Sequence, residues 1–171
     1  QGLNIFGSKL ETFATAEDLR ESDFTIARVH YLHLLRFNET WTLRSDGYAQ
    51  YSAQVLPSIK QFKVGGNRIG RGFEAAAVSG DRGAGVKLEL KRVLHAQPSW
   101  FRVGGIYGFY DLGAAWRNDQ GGRQSAASAG IGIAMNGNVL AGYLELAKPL
   151  THVDVDGNKD AAIFVELSFT F

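Results

Sequence analysis

Apolar and polar residues alternate along almost the whole chain, and this two-residue period is the strongest constraint on its fold. Val86, Leu88 and Leu90, for example, alternate with Lys87 and Glu89. Successive side chains of a β-strand point to opposite faces, so the pattern predicts strands with one apolar and one polar face. We predict about eight antiparallel strands in one all-β domain over 1–171, at 2–14, 24–37, 41–55, 84–93, 101–117, 125–135, 139–148 and 163–171.

Alternation leaves two β architectures open. The apolar face is the core in a water-soluble sandwich or barrel, but it meets lipid in a transmembrane barrel. The predicted strands exceed the usual length of about five or six residues. Aromatic residues near their ends also favour the membrane, where such residues form girdles; they are Trp41, Trp100, Phe101, Trp116, Phe169 and Phe171. The near-neutral mean hydropathy of −0.11 fits alternating strands. We therefore predict an antiparallel transmembrane β-barrel.

Composition and motifs give no support for catalysis or metal binding. The chain has no cysteine, which excludes disulfides and thiolate metal sites, and its net charge of +1 gives no reason to expect a nucleic-acid partner. The four histidines lack a metal-binding pattern; they are His30, His33, His95 and His152. The segment 154–160 lacks the distal glutamate of a calcium loop. No nucleophile elbow is present. We expect no enzyme activity, catalytic residue, metal or cofactor.

The segment 65–83, GGNRIGRGFEAAAVSGDRG, combines glycines with charged residues. Glycines allow sharp bends and close packing of the backbone. From these residues alone, a solvated surface loop and a loop packed inside a barrel both remain open.

Seven segments, in this order along the chain, resemble one family. They are QGLNIFGS, QVLPSIKQFKVGGNRIGRGF, SGDRGAGVKLELKR, YGFYDLG, SAASAGIGIAMNGN, LELAKPL and FVELSFTF. Together they resemble the C-terminal barrel half of two-partner secretion transporters, the haemolysin secretion/activation proteins of Gram-negative outer membranes. The resemblance implies half of a sixteen-stranded barrel, preceded in relatives by periplasmic domains. It also implies that a long extracellular loop folds back into the lumen.

The resemblance also implies a set of site residues. The lumen-inserted loop corresponds to 65–83, with Arg71, Gly72 and Phe73 at its tip and Asp111 as the acidic partner on the wall. Gly70 replaces the valine of relatives, and we expect this departure to loosen the tip. Residues expected to support the loop and lumen are Gly65, Gly66, Gly80, Asp81, Arg82, Gly83, Glu89 and Phe109. A C-terminal assembly signal is expected at Phe169 and Phe171.

Residue chemistry supports the placement of Asp111. Tyr110 and Leu112 have one parity of their strand, which leaves Asp111 and Phe109 on the other. A carboxylate facing lipid is costly, so we expect Asp111 to face the lumen. The planar donor fork of Arg71 can hold a carboxylate by two hydrogen bonds.

Three hypotheses of function follow. The first is an outer-membrane pore component that exports a large partner protein; its partners would be the secreted protein, outer-membrane lipid, the barrel-assembly machinery and a second chain or copy completing the barrel. The second is an outer-membrane protein assembly factor, a relative of the barrel insertases. The third is a free-standing eight-stranded outer-membrane barrel without a transport role, although its interior would be filled by side chains alone.

Overall fold

The computed structural model describes residues 9–13, 24–94, 103–119, 121–136, 140–151 and 160–169, and these residues form an all-β fold. The strands are β1 (Lys9–Phe13), β2 (Ala27–Arg36), β3 (Trp41–Tyr51), β4 (Phe62–Val64), β5 (Val78–Gly80), β6 (Arg82–Arg92), β7 (Val103–Trp116), β8 (Arg123–Asn136), β9 (Leu140–Pro149) and β10 (Ala162–Phe169). Across these ranges no helix is long and apolar enough to cross a membrane.

Eight strands form one antiparallel sheet in the order β1-β2-β3-β6-β7-β8-β9-β10, and β4 pairs with β5 in a separate hairpin. The register is continuous except for a shift between Val103 and Gly105, near the start of β7. Within the described part of the chain, β1 pairs with β2 alone and β10 with β9 alone, so the sheet is open. The predicted antiparallel strands are confirmed, and the hairpin β4–β5 is an element that the alternation did not predict.

The apolar face of the sheet is the exposed face. Directly paired residues of neighbouring strands share a face, and they form rows across the sheet. One such row runs Leu43, Leu90, Gly108, Ile131 and Leu146. Three of its side chains, those of Leu90, Ile131 and Leu146, are 41%, 66% and 44% exposed. A water-soluble sheet buries this face, so the distribution is that of a membrane barrel wall.

The polar face is covered instead. Its buried polar residues include Asp46, Gln50, Asp111, Ser128 and Glu145. The connection between β3 and β6, residues 52–81, lies over this face and is named the inner loop. Its apolar side chains form a small core with two alanines of the wall; the members are Phe62, Val64, Ile69, Phe73, Val78, Ala115 and Ala126.

The inner loop has different bounds from the predicted loop at 65–83. It begins at residue 52, because β3 ends at Tyr51 and not near residue 55. At the other end, Gly80 belongs to β5, whereas Arg82 and Gly83 already belong to β6 in the wall. Sequence alternation extends past the end of β3, whereas the hydrogen-bonded ladder ends where the chain turns inward.

The connections have different lengths at the two ends of the sheet. Residues 14–26, 52–81, 117–122 and 150–161 join strands at one end, whereas 37–40, 93–102 and 137–139 join them at the other. Membrane barrels have long extracellular loops and short periplasmic turns. The first end is named the long-loop end, and the second the short-turn end.

Several predicted features lie outside the described residues. They are the segments 2–8 and 154–159, together with His95, Trp100, Phe101, His152 and Phe171. Phe169 is the last residue of β10.

Candidate functional site

A tight turn at the tip of the inner loop presents Arg71 to the wall. The N–H of Gly65 donates to the carbonyl oxygen of Ile69 at 2.7 Å, and the N–H of Gly66 donates to that of Phe73 at 3.1 Å. The N–H of Phe73 closes a shorter turn on Gly70 at 3.0 Å. These bonds fix the backbone on both sides of Arg71.

Gly70 is a requirement of this turn. Its φ is +88°, in the left-handed region that valine rarely adopts. A Cβ on Gly70 would also lie 3.1 Å from Val64 Cγ1. The backbone N–H of Gly70 donates to Asp111 Oδ2 at 3.1 Å. Glycine therefore permits the turn that binds the wall, and the loosening of the tip stays a prediction.

Asp111 holds Arg71 by a bidentate pair. Arg71 Nε donates to Asp111 Oδ2 and Arg71 Nη2 to Asp111 Oδ1, both at 3.0 Å. The backbone N–H of Arg71 donates to Oδ2 as well, at 3.1 Å. Asp111 is 0% exposed, and with the N–H of Gly70 its carboxylate accepts four hydrogen bonds from the tip. Such charge-assisted bonds are roughly twice as strong as neutral ones.

Two further carboxylates contact the same guanidinium. Arg71 Nη1 lies 2.8 Å from Glu145 Oε1 on β9 and 3.4 Å from Glu89 Oε2 on β6. The hydroxyl of Tyr107 donates to the same Glu145 oxygen at 2.8 Å. Arg71 Cζ lies 3.5 Å from the ring centroid of Phe109, which places the cation over the aromatic face. The arrangement is an arginine bound by three strands, named the arginine cluster: Arg71, Glu89, Tyr107, Phe109, Asp111 and Glu145.

Most of the arginine cluster is buried, and Glu89, at 20% exposure, lies at its edge. Arg71 is 3% exposed and Glu145 is 7% exposed. Burial disfavours the charged guanidinium, but the hydrogen bonds and charges of Asp111 and Glu145 outweigh it and raise the pKa of Arg71. Arg71 is thus cationic at every physiological pH. Separating it from the wall would leave buried carboxylates without their cation, and such an uncompensated charge is strongly destabilising.

A second contact fixes the base of the inner loop near the long-loop end. Asp81 is fully buried, and its carboxylate accepts hydrogen bonds from the N–H groups of Leu56 and Asn118, each at 2.7 Å. The side chain of Asn118 donates in turn to the carbonyl oxygens of Ser52 and Gln54. Burial alone would raise the pKa of Asp81, but the hydrogen bonds from Asn118 and Leu56 outweigh it and lower that pKa.

Glycines in the wall and in the inner loop allow the two to approach closely. A Cβ on Gly113 would lie 2.7 Å from Val64 Cγ2, and one on Gly72 would lie 2.9 Å from Ser128 Cβ. On Gly83, an added Cβ would collide with the ring of Phe62. The polar face is therefore shaped to accept the side chains of the inner loop.

The structure brings together most of the residues that the sequence singled out. Arg71, Asp111, Glu89 and Phe109 meet in the arginine cluster, whereas Asp81 lies in the base contact. Arg82 is an exception: it shares the outward parity of Val86 and Leu88, so it does not support the loop from the lumen. The expectation for Arg82 is wrong, since β6 begins there and its alternation fixes the face.

Sequence reasoning missed Glu145, and strand parity placed Tyr107 on the lumen side without assigning it to the site. The signal for Glu145 was present, because it is the lone carboxylate of LELAKPL and its parity opposes that of Leu144 and Leu146. Tyr107 has the parity of Asp111, but its bond to Glu145 depends on the pairing of β7, β8 and β9.

The arrangement binds the tip of the inner loop to the wall through charge-assisted hydrogen bonds. Asp46 binds Arg44 by two hydrogen bonds and lies 3.7 Å from His30 Nε2. Over the residues that the structure describes, no group of histidine and carboxylate side chains could hold a metal ion.

Comparisons with known proteins identify the family of the chain. A family model described as "Haemolysin secretion/activation protein ShlB/FhaC/HecB" matches residues 1–135. The chain is 27% identical over 121 residues to the outer membrane transporter CdiB of Escherichia coli O6:K15:H31 (strain 536 / UPEC). The aligned part covers 68% of this chain and 20% of that transporter, so the chain spans about a fifth of the length of this curated relative. No solved structure matches the chain.

Proposed function

The chain belongs to the haemolysin secretion/activation protein family ShlB/FhaC/HecB, and from this premise we propose that it forms part of an outer-membrane pore for a secreted partner protein. The inner loop is the latch of that pore. The proposed role is transport, because the family consists of secretion and activation proteins rather than enzymes.

The exposed apolar face supports an outer-membrane location. Strands β3 and β6 each have 11 residues, the length that crosses a bilayer when tilted. Their outward side chains are largely apolar, as in a lipid-facing band. The long-loop end would then face the cell exterior, and the short-turn end the periplasm.

The open sheet supports a larger pore. An eight-stranded closed barrel has an interior that its own side chains fill. The 30 residues at 52–81 already lie over the polar face, so a closed ring of these strands has no room for a polypeptide as well. We propose that further strands complete the barrel, supplied by the rest of the same protein or by a second chain or copy.

The arginine cluster is the single observation that carries the latch proposal. One guanidinium, 3% exposed, joins the tip of the inner loop to carboxylates on β6, β7 and β9. A loop held only by apolar packing would not need a buried cation. Its contacts with the strands are polar, so water entering the lumen can replace the hydrogen bonds of the guanidinium when the tip leaves the wall.

A secretion assay tests the proposal. Cells would produce the full-length transporter with its exported partner, and the exported fraction would be divided by the amount of assembled barrel. We expect Arg71→Ala to reduce export or assembly, whereas Glu74→Ala, a change at an exposed position of the same loop, should leave both unchanged.

Two outcomes would contradict the proposal. Unaltered export and assembly in Arg71→Ala would remove the latch role. Normal export together with loss of other outer-membrane barrels would support an assembly factor instead.

We also propose that the barrel-assembly machinery recognises the end of the chain at Phe169 and Phe171. Deleting Phe171 would test this, because it should lower the amount of assembled barrel.

A further inference from the structure

The outward face of the sheet carries a groove that the latch does not use. Its volume is about 750 Å3, and it crosses strands β3, β6, β7, β8 and β9. That volume lies within the range of about 300–1,000 Å3 that is usual for small-molecule sites. Its lining includes Tyr107 and Phe109 of the arginine cluster, but not Arg71 or the carboxylates that bind it.

Gly108 forms the floor of the groove. In its row across the sheet, Gly108 is paired with Leu90 on one side and Ile131 on the other. Ile106 and Tyr110 flank it along β7 with the same outward parity. A Cβ built on Gly108 meets only the carbonyl oxygen of Gly130, at 3.9 Å. The missing side chain thus leaves open space among large apolar neighbours.

The groove ends at a cation. Arg92 is the charged residue among the described residues that line it, and it is the last residue of β6, at the short-turn end. Trp41 is its direct partner on β3, and Arg92 Cζ lies 5.7 Å from the Trp41 ring. Arg92 is exposed. An arginine beside a tryptophan at the end of a spanning strand is placed at headgroup depth.

We propose that this groove binds one anionic glycerophospholipid, with an acyl chain over Gly108 and the headgroup phosphate at Arg92. The inference rests on the proposed location in the outer membrane. Charge complementarity selects the occupant, because an apolar channel closed by a single guanidinium matches a molecule with a hydrocarbon tail and an anionic head. The short-turn end places the headgroup in the periplasmic leaflet.

The groove differs from the ordinary contact of a barrel with bulk lipid. A flat apolar wall exchanges lipids without selecting the headgroup. A groove with a floor at Gly108 and a cation at its end holds both parts of one molecule at once. Filling the floor should therefore abolish retention of any phospholipid, whereas neutralising Arg92 should remove only the headgroup preference.

Native mass spectrometry of the full-length protein in detergent tests these two effects. The probes are phosphatidylglycerol, which is anionic, and phosphatidylcholine, which is zwitterionic, with the same acyl chains. We expect the unaltered protein to retain one phosphatidylglycerol about tenfold more tightly than phosphatidylcholine. Arg92→Gln should reduce this ratio to about one, and Gly108→Leu should abolish retention of both lipids.

Matched variants control for charge and for added volume. Lys63→Gln removes one exposed cation from the inner loop, and Ala84→Leu adds the same side chain to the outward face of β6 away from the groove. Both should retain phosphatidylglycerol as the unaltered protein does. Thermal unfolding in detergent checks that Gly108→Leu is folded, and Arg92→Gln provides a second test at an exposed position.

Three results would overturn the lipid site. They are equal retention of the two lipids by the unaltered protein, the same loss in Lys63→Gln as in Arg92→Gln, or undiminished binding in Gly108→Leu. A dimer that Gly108→Leu dissociates would assign the groove to a second copy, which also contradicts the proposal. Failure of the proposed export role is distinguishable, because the secretion assay measures that role, whereas lipid retention is measured on the purified protein in detergent.

Discussion

Removing either partner of the Arg71–Asp111 pair should open the inner loop. Asp111 is 0% exposed and Arg71 is 3% exposed, so the pair belongs to the buried class. Breaking a buried pair costs about 3–5 kcal/mol because it leaves an unpaired charge. A hydrated pair would cost only about 0–1 kcal/mol. Because both side chains are buried, we expect the larger cost of about 3–5 kcal/mol. This cost corresponds to roughly two to four orders of magnitude in the equilibrium constant for opening of the inner loop.

Thiol labelling can measure this opening, since the chain contains no cysteine. Val64→Cys places a small thiol at a position that is 0% exposed, behind the tip and against the wall. In that background, Arg71→Ala and Asp111→Ala should each raise the labelling rate by roughly two to four orders of magnitude. Glu74→Ala in the same background should leave the rate unchanged.

The double variant distinguishes the pair from two independent effects. Arg71→Ala and Asp111→Ala remove the same interaction, so the combined change in opening free energy should fall well below the sum of the single changes. Additive changes would refute the pairing, and so would single variants that label at the rate of the Val64→Cys background.

Three further predictions concern other contacts of the inner loop. Glu145→Gln keeps the shape of the side chain but removes a charge that Arg71 contacts at 2.8 Å. Thiol labelling of Val64→Cys should therefore accelerate, though less than in Asp111→Ala. An unchanged labelling rate would exclude Glu145 from the latch. Because the folded-state pKa of Asp81 is lowered, its stabilisation is present above its unfolded pKa of about 4 and is lost as the pH falls through the folded pKa. Asp81→Asn should lessen this acid-induced loosening of the loop base, measured by proteolysis from about pH 5 down to about pH 2, and an identical pH profile would contradict the role. A Cβ on Gly113 would lie 2.7 Å from Val64 Cγ2, so cysteines at these two positions are within reach of a disulfide. The variant with Val64→Cys and Gly113→Cys should stop export when oxidised and restore it on reduction. Full export by the oxidised protein would exclude release of the inner loop as a step.

The wall was predictable from sequence because a period of two assigns every side chain of a strand to a face. That rule predicted Asp111 on the inner face and Leu112 on the outer face, as the structure has them. It also accounts for Arg82, because the alternation was recognised only from Ala84, whereas β6 begins at Arg82 and gives that residue the outward parity. Alternation could not say which face is exposed, because sandwiches and membrane barrels share the pattern.

The contacts of the inner loop were less predictable. The hairpin β4–β5 has three residues in each strand, too few to establish a period. Glu145 reaches Arg71 across 74 positions of sequence, and only the register of β7, β8 and β9 brings it near. The need for Gly70 depends on a φ of +88° that no local motif specifies. These features arise from tertiary pairing and not from local residue preference.

The position of the inner loop in the assembled pore is the most direct test of the account. A structure of the full-length protein in a lipid bilayer would measure it. The account predicts a closed barrel, the row containing Ile131 against lipid, and Arg71 Nη2 about 3.0 Å from Asp111 Oδ1 inside the lumen. A guanidinium of Arg71 in bulk solvent, far from Asp111, would contradict it.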